Sequence, residues 1–119
     1  FYETVARLAA LVARQGFVVL VPATAHRRTF RDIARRLAPA FVEVWIDTPQ
    51  AECEKRDTKG LYAASRRGSA CFVPGIAETY EPPETADVIA HGGRDARALD
   101  QLAEKLTGLA VSKPVIQRA

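Results

Sequence analysis

The chain has 119 residues, enough for one compact domain with a single core and too few for two. Its hydrophobic fraction of 48% and charged fraction of 26% are typical of globular proteins that fold in water. No apolar run approaches the roughly 20 residues that cross a bilayer, and Phe1 does not open a secretory leader pattern. The net charge of +3 is too small to imply nucleic-acid binding. We therefore predict a cytoplasmic domain with no membrane or nucleic-acid partner.

The cysteines and the first residues add two expectations. Cys53 and Cys71 have neither the spacing of a metal site nor the number of a disulfide framework, so reduced thiols are expected. The sequence contains no methionine and begins inside a helical pattern without a cap. We therefore expect the chain to be one part of a longer polypeptide.

Apolar spacing and capping residues predict the helices. Long amphipathic patterns cover 3–15, 30–37 and 95–109, and short helices are predicted after Pro49 and over 61–67. In the first pattern Val5, Leu8, Ala9 and Val12 recur at helical spacing and are expected to share one face, and Gly16 ends the helix. Thr48 is the expected N-cap of the first short helix, and Asp95 that of the last long one.

Three apolar runs predict strands, at 17–21, 41–46 and 86–90. The first is unbroken, as in a strand that is buried on both faces of a parallel sheet. Alternating helices and strands predict an α/β fold with a mainly parallel sheet. Ligands of such sheets bind beyond the carboxyl ends of the strands, here in the loops after Val21 and Ile46.

A basic cluster follows the first predicted strand and is the first candidate site. Its members are His26, Arg27, Arg28, Arg31, Arg35 and Arg36. Guanidinium groups bind phosphate and sulfate oxygens, and the amides of a helix N-terminus also attract anions. From position alone, Arg28 and Arg31 are either anion ligands or part of a solvated helix face. Arg35 and Arg36 are expected to be solvated.

A glycine-flanked basic segment from Arg56 to Gly68 is the second candidate, either a lid over a charged ligand or an exposed helical hairpin. Phe72 lies in a polar loop, where an aromatic ring stacks on a nucleobase or packs into the core. The chain has no catalytic triad, no metal-ligand spacing and no phosphate loop of the form G-x-x-x-x-G-K-[ST]. Catalytic residues and metal ligands therefore cannot be assigned from it.

A series of ordered motifs resembles the adenylylsulfate kinase family. The motifs are FVEVWIDTP at 41–49, CEKRDTKGLY at 53–62, RRG at 66–68, Phe72, Gly75-Ile76, YEPP at 80–83 and ADV at 86–88. The resemblance implies a three-layer P-loop kinase fold, of which residues 1–110 would form the C-terminal two-thirds. Residues 56–83 would be its lid region, and 111–119 a tail or linker.

The resemblance also implies an activity, transfer of the ATP γ-phosphate to the 3′-hydroxyl of adenylylsulfate with Mg²⁺ bridging the phosphates. Arg28 and Arg31 fall on the arginines of the family's I-S-P-[YF]-R-x-x-R loop. Arg56 falls on the lid arginine near ATP. The remaining implied substrate-binding residues are Lys59, Gly60, Leu61, Phe72 and Gly75. The Mg²⁺ ligands and the phosphate-loop lysine of the family have no counterpart in this chain.

Departures from the family pattern keep other functions open. Ala25 and His26 replace its Ser-Pro pair, and Ala63 and Ala64 replace two lysines. Such losses at substrate-facing positions resemble the non-catalytic, allosteric adenylylsulfate-kinase-like domain of some ATP sulfurylases. An active kinase, a regulatory nucleotide-binding domain and a purely structural packing domain are thus the alternatives. A fused or associated ATP sulfurylase and a homo-oligomer are also expected, and this chain alone is expected to be inactive.

Overall fold

The structure, a computed structural model, describes residues 1–68 and 79–111, with side chains as far as residue 109. Its elements are α1 (Tyr2–Arg14), α2 (Arg28–Leu37), β1 (Val44–Ile46), α3 (Gln50–Lys55), α4 (Leu61–Arg66), β2 (Val88–Ala90) and α5 (Ala96–Val111). The two strands are parallel, which confirms the predicted α/β class. The described residues form two compact units, one within 1–41 and 48–84, the other within 42–47 and 85–119.

The second unit contains the sheet. β1 and β2 pair in register, with Val44 opposite Val88 and Ile46 opposite Ala90. Because side chains alternate along a strand, Val88 and Ala90 point to one face, where they are 2% and 6% exposed. Ala98 of α5 completes this buried cluster, and Val44 and Leu102 pack against it. The core of this unit therefore lies between β2 and α5.

Asp95 caps α5, as predicted. Its carboxylate accepts hydrogen bonds from the backbone N–H of Ala98 at 3.1 Å and of His91 at 3.0 Å. These bonds favour the ionised form, so they hold the pKa of Asp95 below its ordinary value of 3.8. The cap thus joins the end of β2 to the start of α5.

Replacing Asp95 with asparagine is expected to reduce the acid sensitivity of the second unit. A carboxylate with a lowered pKa stabilises the fold above its unfolded pKa, and the contribution is lost as pH falls through the folded value. The check is the urea midpoint measured from about pH 6 to about pH 2. Asp100→Asn, at an exposed position of the same helix, is the control. Identical pH profiles for the two variants would contradict the role of Asp95.

In the first unit α1 packs against α2. The buried residues of α1 are Ala6 and Ala10, while Leu8 is 62% and Val12 37% exposed. Of the predicted apolar row, Val5 and Ala9 are half-buried, whereas Leu8 and Val12 do not face the interior. α1 is apolar on more than one face, so apolar spacing alone did not determine which row of side chains packs against the rest of the first unit. The row with the small side chains of Ala6 and Ala10 lies in the interior.

The run at 17–21 is not a strand, contrary to the prediction. Gly16 ends α1 with a φ of 94°, as expected, but Phe17, Val18 and Leu20 are 65%, 68% and 76% exposed. A strand needs a neighbour for its ladder hydrogen bonds, and the part of the chain that the structure describes contains no strand paired with this run. Residues 17–21 therefore form an apolar segment with mostly exposed side chains.

The other boundaries shift by smaller amounts. β1 begins at Val44 and β2 at Val88, later than the apolar runs from 41 and 86. α3 has Pro49 rather than Thr48 as its N-cap, and the Pro49 carbonyl accepts from Cys53 N–H at 3.1 Å. Thr48 is therefore not the N-cap. Among residues 1–68 and 79–111 no helix is long and apolar enough to cross a membrane.

Candidate functional site

The loop before α2 is tied to residues 79–84. The His26 carbonyl accepts a hydrogen bond from the Glu81 N–H at 2.8 Å. Arg31 donates from Nη1 to the Ala25 carbonyl at 2.5 Å and from Nη2 to the Glu81 carbonyl at 2.6 Å. Ala25 has a φ of 38°, a conformation that non-glycine residues rarely adopt. These bonds fix the loop's path just before the predicted anion ligands.

Arg28 begins α2 and presents its guanidinium to solvent. Its side chain is 45% exposed and forms an ion pair with Glu84, which is 76% exposed. Its backbone N–H donates to Glu81 Oε2 at 2.7 Å. A carboxylate of the protein therefore already occupies this first amide of the helix. The guanidinium group is the part of Arg28 that remains accessible to an external anion.

Other arginines of the basic cluster have different surroundings. Arg31 is half-buried, and its guanidinium carbon lies 5.4 Å from the centre of the Tyr80 ring. Arg35 is exposed, as predicted, and its guanidinium carbon lies 4.8 Å from the centre of the Phe41 ring, a cation–π contact. Arg36 is exposed, as predicted. Arg28 is thus the exposed arginine that stands at the first position of α2.

An aromatic cluster of Tyr2, His26 and Phe30 packs beside the loop that precedes α2. The Tyr2 and Phe30 rings stack with centroids 4.7 Å apart, and the His26 ring meets Phe30 edge-on at 5.5 Å. His26 is only 7% exposed, so it lies inside the first unit rather than on a basic surface. His26 therefore serves packing.

The second candidate segment is the turn between α3 and α4. Arg56 is exposed and donates from Nε to Glu52 at 3.0 Å, and Lys59 is exposed as well. Gly60 has a φ of 65°, a left-handed conformation that suits glycine, and Leu61 starts α4. Four of the predicted nucleotide-binding residues thus share one exposed turn.

Hydrogen bonds from neighbouring side chains hold α4 in place. Arg66 donates to Glu54 at 2.8 Å and, with Gln50, holds the pKa of that carboxyl below its usual value. Burial and the nearby Cys53 raise the pKa of Tyr62.

Asp57 accepts hydrogen bonds from the backbone N–H groups of Leu61 and Tyr62, both at 2.9 Å. Asp57 is therefore the residue that fixes the start of α4.

Replacing Asp57 with alanine is expected to destabilise this turn by about 1 kcal/mol, because two amides of the first helical turn lose their acceptor. Asp57→Asn keeps one acceptor oxygen and is expected to lose less. Amide hydrogen exchange at Leu61 and Tyr62 measures the effect locally. Equal protection in the alanine variant and the unsubstituted chain would contradict it.

Phe72 and Gly75 lie outside the described residues, so their roles stay predictions. Glu81, Glu84 and Asp57 were not singled out from sequence as contributors to either segment. Glu81 did carry a signal, because it belongs to the YEPP motif at 80–83. Within the described ranges no three His, Cys, Asp or Glu side chains are grouped as metal ligands. The described side chains therefore do not fit a Mg²⁺ site.

Known proteins are similar to this chain. The family model "Adenylylsulphate kinase" matches residues 2–91, which include every predicted site residue. The adenylyl-sulfate kinase of Paraburkholderia xenovorans is 43% identical over 94 residues, 76% of this chain and 51% of that protein. Adenylyl-sulfate kinase 1, chloroplastic, of Arabidopsis thaliana is 36% identical over 115 residues, 95% of this chain and 41% of that protein.

The chain belongs to the adenylylsulfate kinase family. A solved structure of the Mycobacterium tuberculosis APS kinase CysC, in complex with AMPPNP and APS, matches with a TM-score of 0.73 and 34% identity. The match covers 93% of this chain and 65% of the mycobacterial one. It confirms the P-loop kinase fold predicted from the motifs.

The chain spans about half the length of the first curated relatives it matches. The bifunctional enzyme NodQ of Azospirillum brasilense is 36% identical over 115 residues, which are 18% of that protein. Family membership therefore rests on a region that covers about half of these relatives. A similar region also occurs inside the larger bifunctional enzyme NodQ.

Proposed function

We propose that this chain forms the adenylylsulfate-binding side of an adenylylsulfate kinase, which transfers the γ-phosphate of ATP to the 3′-hydroxyl of adenylylsulfate. The supporting observation is the solvent-facing guanidinium of Arg28 at the start of α2, in a loop held by Ala25, Arg31 and Glu81. A guanidinium suits the phosphosulfate group because it binds sulfate and phosphate oxygens in a bidentate way. The mycobacterial relative was solved with both an ATP analogue and APS.

Each predicted residue has a part in this proposal. Arg28 and Arg31 serve the adenylylsulfate anion, and Arg56 serves the phosphates of ATP. Lys59, Gly60 and Leu61 form a lid turn that closes on the nucleotides and excludes water. Phe72 stacks against the adenine of adenylylsulfate, and Gly75 also binds this substrate. ATP with Mg²⁺ supplies the phosphoryl group, and the residues that hold the ion lie outside this chain.

The context of the kinase region is part of the proposal. This chain alone is inactive, since it has no G-x-x-x-x-G-K-[ST] loop to hold the ATP phosphates. It works in the cytoplasm, in a homo-oligomer, fused to or associated with an ATP sulfurylase. The similarity to a bifunctional relative supports the fusion.

A regulatory domain without turnover is the second candidate. Ala63 and Ala64 stand in α4 where the family pattern has lysines, and both side chains are half-buried rather than solvent-facing. A domain with these replacements would bind adenylylsulfate or a product nucleotide and transmit that binding to a partner enzyme. The two candidates agree on nucleotide binding and differ on phosphoryl transfer.

Calorimetry with adenylylsulfate tests the shared part of both candidates. The chain is expected to bind adenylylsulfate, and Arg28→Ala to weaken that binding about tenfold or more. Arg36→Ala, an exposed arginine of the same helix, is the matched control. Lack of binding would reject both candidates.

Phosphoryl transfer from ATP, assayed in the intact protein that carries this chain, separates the two candidates. Turnover supports the kinase. Binding of adenylylsulfate without turnover supports the regulatory domain.

Replacing Phe72 with alanine is expected to weaken adenylylsulfate binding by about 1–3 kcal/mol, the usual contribution of a base–aromatic stack. Phe17→Ala, at a 65% exposed position of the first unit, is the control for removal of a ring. The measurement is the dissociation constant from calorimetry. An unchanged constant in the Phe72 variant would remove Phe72 from the site.

A further inference from the structure

Glu81 makes three separate hydrogen bonds to the loop and helix that carry Arg28. Its N–H donates to the His26 carbonyl at 2.8 Å, and its carbonyl accepts from Arg31 Nη2 at 2.6 Å. Its carboxylate accepts from the Arg28 backbone N–H at 2.7 Å. Both backbone groups and the side chain of one residue are thus directed at the same short loop.

We propose that Glu81 is a positioning residue for the anion contact made by Arg28. This inference rests on the proposed function, in which Arg28 binds the anion of adenylylsulfate. Glu81 does not touch the substrate. It fixes the backbone from which the Arg28 side chain extends, and it joins that backbone to the C-terminal end of the predicted lid region, residues 56–83.

The carboxylate is the part of Glu81 that acts on Arg28 directly. It caps the first amide of α2, where a negative charge also favours the positive end of the helix dipole. The ion pair between Arg28 and Glu84 is solvent-exposed on both sides and contributes little rigidity. The bond from Glu81 to the Arg28 backbone therefore sets the starting point of a side chain that is otherwise loosely held.

Charge and positioning act in opposite directions at this residue. A carboxylate beside Arg28 repels an incoming anion, so removal of its charge alone strengthens anion binding. Removal of the hydrogen bond weakens anion binding because Arg28 loses its fixed direction. The two effects are separable by substitution, since glutamine removes the charge and keeps an acceptor oxygen, while alanine removes both.

The experiment compares Glu81→Gln with Glu81→Ala by calorimetric titration of adenylylsulfate. Both variants lack the charge, so a difference between them isolates the hydrogen bond. Glu81→Ala is expected to bind about 3- to 10-fold more weakly than Glu81→Gln, as follows from one lost hydrogen bond. The same pair at Glu3, whose ion pair with Arg7 lies within α1, is the control and is expected to show equal constants.

A second comparison keeps the charge. Glu81→Asp shortens the side chain by one methylene and is expected to bind adenylylsulfate more weakly than the unsubstituted chain. The Arg28 amide in a ¹H–¹⁵N spectrum is expected to shift in Glu81→Ala and Glu81→Asp more than in Glu81→Gln. This readout reports the hydrogen bond directly and needs only folded protein.

Equal dissociation constants for the glutamine and alanine variants would overturn the positioning role and leave the proposed function in place, provided that the unsubstituted chain binds. Rescue of binding by glutamine, together with the unshifted Arg28 amide, would support it. No binding by the unsubstituted chain would overturn both the proposed function and this inference. A merely structural role would lower the unfolding free energy without separating glutamine from alanine in binding.

Discussion

Val88→Asp is expected to unfold the second unit. Val88 is 2% exposed and lies in the cluster with Ala90 and Ala98, between β2 and α5. An aspartate there would bury a carboxylate with no partner among these apolar side chains and would also remove the packing of two methyl groups. Such a change costs about 4 kcal/mol or more, which is a large share of the stability of a small domain. The measurements are the loss of helical circular dichroism and the loss of amide-exchange protection in β2 and α5.

Ile89→Asp is the matched control for this prediction. Ile89 is the next residue of β2, but its side chain points to the opposite face and is 42% exposed. The same new charge at that position remains solvated, so the expected loss is within about 1 kcal/mol. Equal destabilisation by the two variants would show that the charge, rather than its burial, is responsible. That outcome would contradict the assignment of the core.

Arg31→Ala is expected to destabilise the first unit by about 2–3 kcal/mol. The guanidinium donates to the carbonyls of Ala25 and Glu81, and both acceptors would lose a charged donor. The contact with the Tyr80 ring would be lost as well. Release of Ala25 from its left-handed conformation would offset a small part of the loss. Urea unfolding followed by amide exchange at Glu81 measures the effect.

Arg31→Lys keeps the positive charge of residue 31 but removes the planar guanidinium, so it separates the effect of the charge from that of the hydrogen-bond geometry. A lysine ammonium is a point charge without the planar fork, so it cannot reach both carbonyls in the same way. The lysine variant is therefore expected to recover less than half of the loss. Full recovery would contradict the bridging role of Arg31. Arg36→Ala, on the exposed side of α2, is expected to change stability by less than about 0.5 kcal/mol.

Two of the features predicted correctly from sequence depend on neighbouring residues. Asp95 caps α5 through amides at positions 91 and 98, and Gly16 ends α1 where a left-handed residue is needed. The parallel pairing of β1 and β2 followed from the alternation of helices and strands. Local propensity and this alternation were sufficient for each of these features.

The features that sequence reasoning missed depend on distant partners. Glu81 contacts the amide of Arg28 across 53 positions of the chain, and no spacing rule reveals such a pair. The run at 17–21 has the composition of a buried strand, but strand formation depends on a neighbour rather than on composition. In α1 two apolar rows compete, and tertiary packing selected the one with Ala6 and Ala10.

The exposed run at 17–21 also affects how the chain behaves in concentrated solution. Phe17, Val18, Leu20 and Val21 have exposed side chains, so an identical run of another molecule can pair with this one edge to edge. Pro22 follows the run directly and has no N–H to donate, and Gly16 precedes it with a conformation that a strand does not adopt. These two residues act as gatekeepers, because they restrict intermolecular pairing to five positions and oppose its spread along the chain.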